Sequence, residues 1–171
     1  MNASDLMTKA VSCGTSDNLQ RAAQIMWEKD CGIVPVVDGD NRVVGLVTDR
    51  DICMAAYTRG QPLWHIPVSS AMANKVHGVG ENDSLDMVEA LMRRVQVRRV
   101  PVLDGGGRLT GILSMNDLAR HAHRSTGRKA NGLSGDSIVQ TLAAICEPKA
   151  TQGAGAEPKT GAAIGSSQLT A

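Results

Sequence analysis

The 171-residue chain is poor in aromatic side chains, with two tryptophans, one tyrosine and no phenylalanine. A stacking platform for single-stranded nucleic acid, which holds bases on successive aromatic faces, is therefore not expected. Charge of one sign is lacking too. Eighteen Lys and Arg stand against seventeen Asp and Glu, a net charge of +1. No global field draws such a chain to nucleic acid or to an anionic membrane. No apolar run reaches the roughly eighteen residues of a membrane span. The N-terminal MNASDLMTKA has neither a basic n-region nor an apolar h-region, so no secretory leader is expected. The four cysteines (Cys13, Cys31, Cys53, Cys146) are too far apart for a CxxC pair or a metal-ligand spacing. They read as reduced thiols of a cytoplasmic protein.

What the chain does have is a repeat. Residues 33–52 (IVPVVDGDNRVVGLVTDRDI) match residues 99–118 (RVPVLDGGGRLTGILSMNDL) at a constant offset of 66, as do Leu19 with Leu85 and Met26 with Met92. Upstream the offset falls to 65, pairing Met7 with Met72 and Val11 with Val76, which places one inserted residue near Gly80. The units span 3–58 and 68–124, joined by a linker over 59–67. Each unit predicts a short strand (Ala10–Cys13; Lys75–Val79) and then a helix opened by Ser16-Asp17 or Asp83-Ser84. The helix stripe is Leu19, Ala22, Ala23 and Met26, or Leu85, Val88, Met92 and Val95. A hairpin follows (Ile33–Val37 with Arg42–Val47; Arg99–Leu103 with Arg108–Leu113), turned by Asp and Gly. A second helix closes the unit (Asp49–Thr58; Met115–His123).

The fold class is thus α/β (α+β), two β-α-β-β-α units. One unit of about 55 residues is marginal alone. The two sheets are expected to pack about a pseudo-twofold axis, leaving two equivalent clefts at the seam, a common place for a small ligand. Trp64, in the linker, is expected to cover the interface. Residues 134–146 predict another helix with Ile138, Leu142 and Ile145 on one side, and 148–171, rich in Ala, Gly, Thr and Ser, read as disordered.

Both hairpins end alike: Gly45-Leu46-Val47-Thr48-Asp49-Arg50-Asp51 and Gly111-Ile112-Leu113-Ser114-Met115-Asn116-Asp117. One copy alone reads as a capping box with an acidic residue in the Glu/Gln place. Twice at the same place, it also reads as a ligand site. The hydroxyl stands among the free N–H groups of a helix start, which favour phosphate. The Asp one turn on can accept from a ribose diol, as in dinucleotide folds. The glycine permits close backbone approach.

With its h-P-V-h-D strand and its G-h-h-T/S-x-x-D ending, the duplicated unit resembles a tandem pair of cystathionine beta-synthase (CBS) domains, a Bateman module, over residues 3–124. The resemblance implies a regulatory module, not an enzyme, that binds an adenosine-containing ligand: AMP, ADP, ATP, NAD or S-adenosylmethionine. It gives Thr48 and Ser114 the phosphate, and Asp51 and Asp117 the ribose. It gives the adenine to Val11, Cys13, Val34 and Pro35 in one copy and to Val76, Gly78, Val100 and Pro101 in the other. Arg98 and Arg99 precede Pro101, where Gly32 and Ile33 precede Pro35. In the AMP-activated kinase gamma subunit of this family a basic residue at the Arg99 position reaches the phosphate. The Ser114/Asp117 cleft is accordingly expected to hold the more phosphorylated ligand, with Arg50 compensating at the other. The resemblance also implies a homodimer acting on a separate effector protein, and the balanced charge and lack of a long apolar run leave no membrane or nucleic-acid partner expected.

Two further readings stay open. One is a structural or dimerisation module with no physiological ligand; the other is redox sensing through Cys13 or Cys31. His121 and His123 lie two apart on a helix and cannot face one metal ion together. The basic stretch Arg120–Lys129 reads as a helix end complementing the macrodipole.

Overall fold

The computed structural model describes residues 1–124 and 133–148. The first repeat holds α1 (Ala3–Leu6), β1 (Cys13–Gly14), α2 (Leu19–Glu28), β2 (Ile33–Val37), β3 (Val43–Thr48) and α3 (Asp49–Arg59). Two short 3-10 turns, Leu63–His65 and Val68–Ser70, lead to the second repeat. It holds β4 (Val79–Gly80), α4 (Leu85–Val95), β5 (Arg99–Leu103), β6 (Leu109–Ser114) and α5 (Met115–Arg124), and α6 (Gly135–Cys146) follows. Each sheet has three strands, β1-β2-β3 and β4-β5-β6, with a parallel pair and then an antiparallel hairpin. The expected β-α-β-β-α unit occurs twice. The basic stretch beyond Arg124 and the tail beyond Pro148 lie outside the described residues.

The main helices follow from their caps and stripes. Asn18 caps α2 by accepting from Arg21 N at 3.1 Å, and Ser84 caps α4 by accepting from Met87 N at 3.3 Å. The cap of α2 is thus one residue later than Ser16-Asp17. Asp17 and its counterpart Asp83 instead accept from Gly14 N and Gly80 N at 2.8 Å, closing the strand-to-helix turn. The buried stripe of α2 is Leu19, Ala22, Ile25 and Met26, so Ile25 takes the place expected for Ala23. Both helices end on a left-handed residue, Asp30 (φ 48°) and Gln96 (φ 52°). There Cys31 N and Val97 N reach back to the carbonyls of Met26 and Met92, the closure that satisfies orphan helix carbonyls.

The first strands are shorter and later than the sequence predicts. Only Cys13 and Gly14 pair with β2, and only Val79 and Gly80 with β5. Cys13 therefore matches Val79, and Gly78 matches Ser12 rather than Cys13. The inserted residue lies upstream of Gly78, not near Gly80. Proline explains the short pairing. Pro35 stands opposite Leu46, whose own N–H and C=O are both spent on Ala73. The missing Pro35 N–H therefore falls on the β1 side, where no ladder bond can form. Pro101 stands in the same way opposite Ile112, which is paired with Thr8. The strand edge is left open just where the cleft described below begins.

The two repeats exchange their leading segments. Thr8 pairs with Ile112 of β6, and Ala73 pairs with Leu46 of β3, each through two backbone bonds of 2.8–3.1 Å. Ala3 is buried in the second repeat's core, with Leu6 and Met7 packed against it. Ile66 and Val68 are buried in the first core, with Ala71 and Met72 packed against it. These reciprocal contacts give the pseudo-twofold arrangement. They also show why Gly45 and Gly111 are glycines. A Cβ at Gly111 would lie 2.6 Å from Met7 Sδ and 2.9 Å from the Thr8 carbonyl, and one at Gly45 would collide with Met72. The space at these glycines is filled by a methionine from the other repeat, not kept for a ligand.

Two other expectations change. Trp64 is 58% exposed, and it is Ile66 that seals the linker against the core. In α6, Ile145 is buried and Ile138 packs against the second repeat's core, whereas Leu142 is 44% exposed, and polar contacts add to the docking. Buried Glu89 of α4 accepts from the hydroxyls of Ser137 and Thr141, Arg93 donates to Thr141 Oγ1 at 3.0 Å, and Gln96 donates to the carbonyls of Ala144 and Glu147.

Candidate ligand cleft between the repeats

The motif residues sit where a third strand becomes a helix, and they form complete capping boxes. Asp51 Oδ2 accepts from Thr48 N at 2.9 Å and from Thr48 Oγ1 at 2.7 Å, while Asp51 N donates to Thr48 Oγ1 at 3.2 Å. Asp117 Oδ2 accepts from Ser114 N and Ser114 Oγ, and Asp117 N donates to Ser114 Oγ at 3.3 Å. The local reading of the motif as a cap is therefore correct. Yet each box uses one carboxylate oxygen. At Asp117 the second, Oδ1, accepts from the Arg120 guanidinium. At the matching position the first repeat has Met54, which offers no charge.

A cavity of about 410 Å³ opens beside Ser114 and Asp117, within the range of small-molecule pockets. Its walls cross the seam. The first repeat contributes the strand approach Thr8–Val11, the end of α2 with Lys29 and Asp30, and then Cys31 and Ile33. The second contributes Arg99, Ile112, Ser114, Asn116, Asp117 and Arg120. Val11, Ile25, Cys31, Ile33 and Ile112 supply the apolar part of the lining, and the rest is largely polar or charged.

The cleft gathers Val11, Arg99, Ser114 and Asp117 of the residues singled out from sequence. Val11, expected in β1 and with the Thr48/Asp51 motif, lies ahead of that strand, 37% exposed, and faces the other motif. Cys13, Val34 and Val100 are at most 1% exposed, and Pro35 and Pro101 are buried in their strands, so these five shape the cleft from behind rather than line it. Val76 lies ahead of β4, and Gly78 packs against Leu103 and the Pro101 carbonyl. Arg98 points away, its Nη2 3.8 Å from Cys146 Sγ on α6. Arg50 is exposed at the start of α3. A second, shallower hollow of about 220 Å³ takes Asp51 with Met54, Ala55, Thr58, Arg59, Ser70 and Ala71, and its lining does not include Thr48. Lys9, Ile25, Lys29 and Arg120 were missed in the sequence. The offset aligns the copies with each other but does not reveal that the walls are exchanged between them.

The charges of the cleft are uneven. Four cations line it, Lys9, Lys29, Arg99 and Arg120, against two carboxylates, Asp30 and Asp117. Arg99 Nη1 extends across the seam, lying 3.6 Å from where a Gly32 Cβ would stand, near Asp49. Cys13, behind the wall, has its thiol pushed up to about 11, by burial first and then by the Asp17 carboxylate. Among the described residues no group of three or more His, Cys, Asp or Glu side chains is placed to hold a metal ion. Nor is any helix among them long and apolar enough to cross a membrane.

Known proteins share this architecture. The CBS domain family model matches residues 3–57 and 68–124. The hypoxic response protein 1 of Mycobacterium tuberculosis is 35% identical over 149 residues, 86% of this chain and 96% of that protein. Its crystal structure, described with two coordinated zinc ions, has a TM-score of 0.64 over 71% of this chain and 98% of that one. CBSX2, solved in complex with AMP, is 26% identical, with a TM-score of 0.64 over 73% of this chain and 98% of that one. A CBS domain pair solved with 5′-methylthioadenosine and S-adenosyl-L-methionine is 25% identical, with a TM-score of 0.62 over 70% of this chain and 94% of that one. Two matched units, two exchanged leading segments and two capped motifs at one seam lead to a single placement: the chain belongs to the CBS domain family, as a tandem pair.

Proposed function

We propose that this chain is a regulatory sensor of an adenosine-containing ligand, held in the Ser114/Asp117 cleft and read out by a separate effector protein. The observation that supports this reading is the cavity of about 410 Å³, whose lining combines apolar side chains, most of them from the first repeat, with a hydroxyl, a carboxylate and arginines from the second. An adenine fits against Val11, Ile25, Cys31, Ile33 and Ile112. A phosphate fits Ser114 at the start of α5, with the Arg99 fork donating to it. The ribose diol takes Asp117 Oδ1, and Arg120 gives way. Arg120 can move aside, its side chain being 61% exposed, while the buried Asp117 carboxylate exchanges the guanidinium for the diol hydroxyls as donors. Solved relatives that bind AMP or S-adenosyl-L-methionine support the ligand class. Thr48, Asp51, Val76 and Gly78 mark the matching cleft, which has fewer of these groups and is assigned the weaker site.

A ligand whose walls come from both repeats shifts their relative orientation to the extent that it binds one orientation better. Adenine nucleotides and four unpaired thiols suit the cytoplasm. We also infer a homodimer. The outer face of α2 and α3 leaves Trp27 89% and Tyr57 82% exposed, whereas α6 covers the matching face of the second repeat. Thermal shift with AMP, ATP, NAD and S-adenosylmethionine tests the ligand reading. At 100 times its dissociation constant a ligand adds about 2.7 kcal/mol, a rise of roughly 5–10 °C for a chain of this size. No shift with any of them would leave a structural or dimerisation module. Arg99→Ala should weaken AMP binding roughly 10- to 100-fold by calorimetry, since a charged hydrogen bond contributes about 1.5–3 kcal/mol.

A further inference from the structure

The cleft has more positive charge than one phosphate can use. Of its four cations, Arg120 is paired with Asp117 and Arg99 reaches over the seam toward the α2–β2 loop. Lys9 and Lys29 remain, both contributed by the first repeat to a lining that takes Ser114 and the start of α5 from the second. Neither forms an ion pair among the described residues, where the two pairs are Arg108–Asp104 and Arg120–Asp117. Asp30 is the one other carboxylate in the lining.

The duplication supplies an internal control. At the offset of 66, Lys29, Arg99 and Arg120 are matched by Val95, Ile33 and Met54, all apolar. In return the first motif carries Arg50 where the second has Asn116. Three of the four basic side chains of this cleft thus have apolar counterparts in the other copy, in a chain whose net charge is only +1.

We propose that Lys9 and Lys29 form a second anion subsite, and that the cleft is built for a nucleoside polyphosphate. The first phosphate sits at Ser114 and Arg99, on the second repeat, and the distal phosphates reach the two lysines on the first. A polyphosphate then ties the repeats together by charge as well as by base and sugar. A monophosphate leaves the two ammonium groups unmatched, and a neutral or cationic nucleoside such as S-adenosylmethionine meets a wall of like or unused charge. The inference rests on the adenosine reading above and deepens it.

The test is calorimetric titration of the full chain with AMP, ADP, ATP and inorganic tripolyphosphate, without magnesium, at low and at moderate salt. ATP should bind at least tenfold more tightly than AMP, with the difference shrinking as salt rises. In a Lys9→Ala/Lys29→Val double variant that difference should vanish while AMP affinity stays within about twofold. AMP and ATP binding equally well, or a preference that survives the double variant, overturns the subsite. If no adenine nucleotide binds but tripolyphosphate does, and loses affinity in the double variant, the anion subsite stands and the adenosine reading falls. If tripolyphosphate and the nucleotides all fail to bind, both fall.

Discussion

The two motif glycines make a quantitative comparison possible, because identical substitutions meet different obstacles. Neither has a positive φ, so alanine is conformationally allowed at both and gains about 0.4–1 kcal/mol by restricting the unfolded chain. At Gly45 the three atoms nearest the new Cβ all belong to the Met72 side chain, with Cγ at 2.9 Å and Cε at 3.2 Å. An unbranched thioether can rotate away. At Gly111 the new Cβ meets the Met7 side chain and, at 2.9 Å, the carbonyl oxygen of Thr8. That carbonyl accepts from Ile112 N at 2.9 Å, and Thr8 N donates back to Ile112 O at 2.9 Å. Backbone cannot rotate out of the way, so both bonds stretch. Two hydrogen bonds at about 1 kcal/mol each, with about 1–3 kcal/mol of overpacking, put Gly111→Ala at roughly 2–5 kcal/mol destabilising. Gly45→Ala should stay under about 1.5 kcal/mol. Urea unfolding followed by far-UV circular dichroism measures both. Equal losses, or a Gly111→Ala variant as stable as the parent, would refute the reasoning, because the asymmetry is argued from the Thr8 carbonyl. Thr8 also begins the cleft wall, so Gly111→Ala should weaken nucleotide binding as well.

Native-state thiol labelling at pH 8 should modify Cys53 and Cys146 quickly and leave Cys13 unmodified, since its thiol is buried and titrates near 11. Rapid labelling of Cys13 would revive it as a redox sensor. Glu89→Ala removes the shared acceptor of Ser137 and Thr141 and should loosen α6 by about 2–4 kcal/mol. Hydrogen exchange across Gly135–Cys146 reads this directly, and unchanged protection would mean that apolar packing alone holds the helix. Replacing Trp27 and Tyr57 together by alanine should convert a dimer to a monomer in sedimentation analysis with little loss of monomer stability, as both side chains are more than 80% exposed. A dimer that survives the double variant places the interface elsewhere.

The sequence makes the repeat legible because a constant offset is a strong signal. β2 and β5, and the starts of α3 and α5, fall where the spacing puts them. The first strands were misplaced because β1 and β4 are two residues long, too short for alternation to register, and are limited by a proline in the neighbouring strand. The motif is legible, but the reason for its glycine is not, since the methionines that fill the space come from the other repeat and leave no local trace. Val11 is expected with the Thr48/Asp51 motif but lines the Ser114/Asp117 cleft for the same reason: exchange between copies is a tertiary fact. Lys9 and Lys29 belong to no motif, and only the fold brings them into one cavity with Ser114.

Met7 of the first copy fills the hollow at Gly111 of the second, and Met72 of the second fills the one at Gly45 of the first. A gene fission at the linker would therefore produce two halves, each bearing an unfilled notch and a stranded plug. Neither half is the ancestral unit in miniature. Once the duplicated copies had traded these plugs, each became a chaperone-like insert for its sibling. Substitutions at residue 7 or 72 are answerable to the opposite half of the molecule.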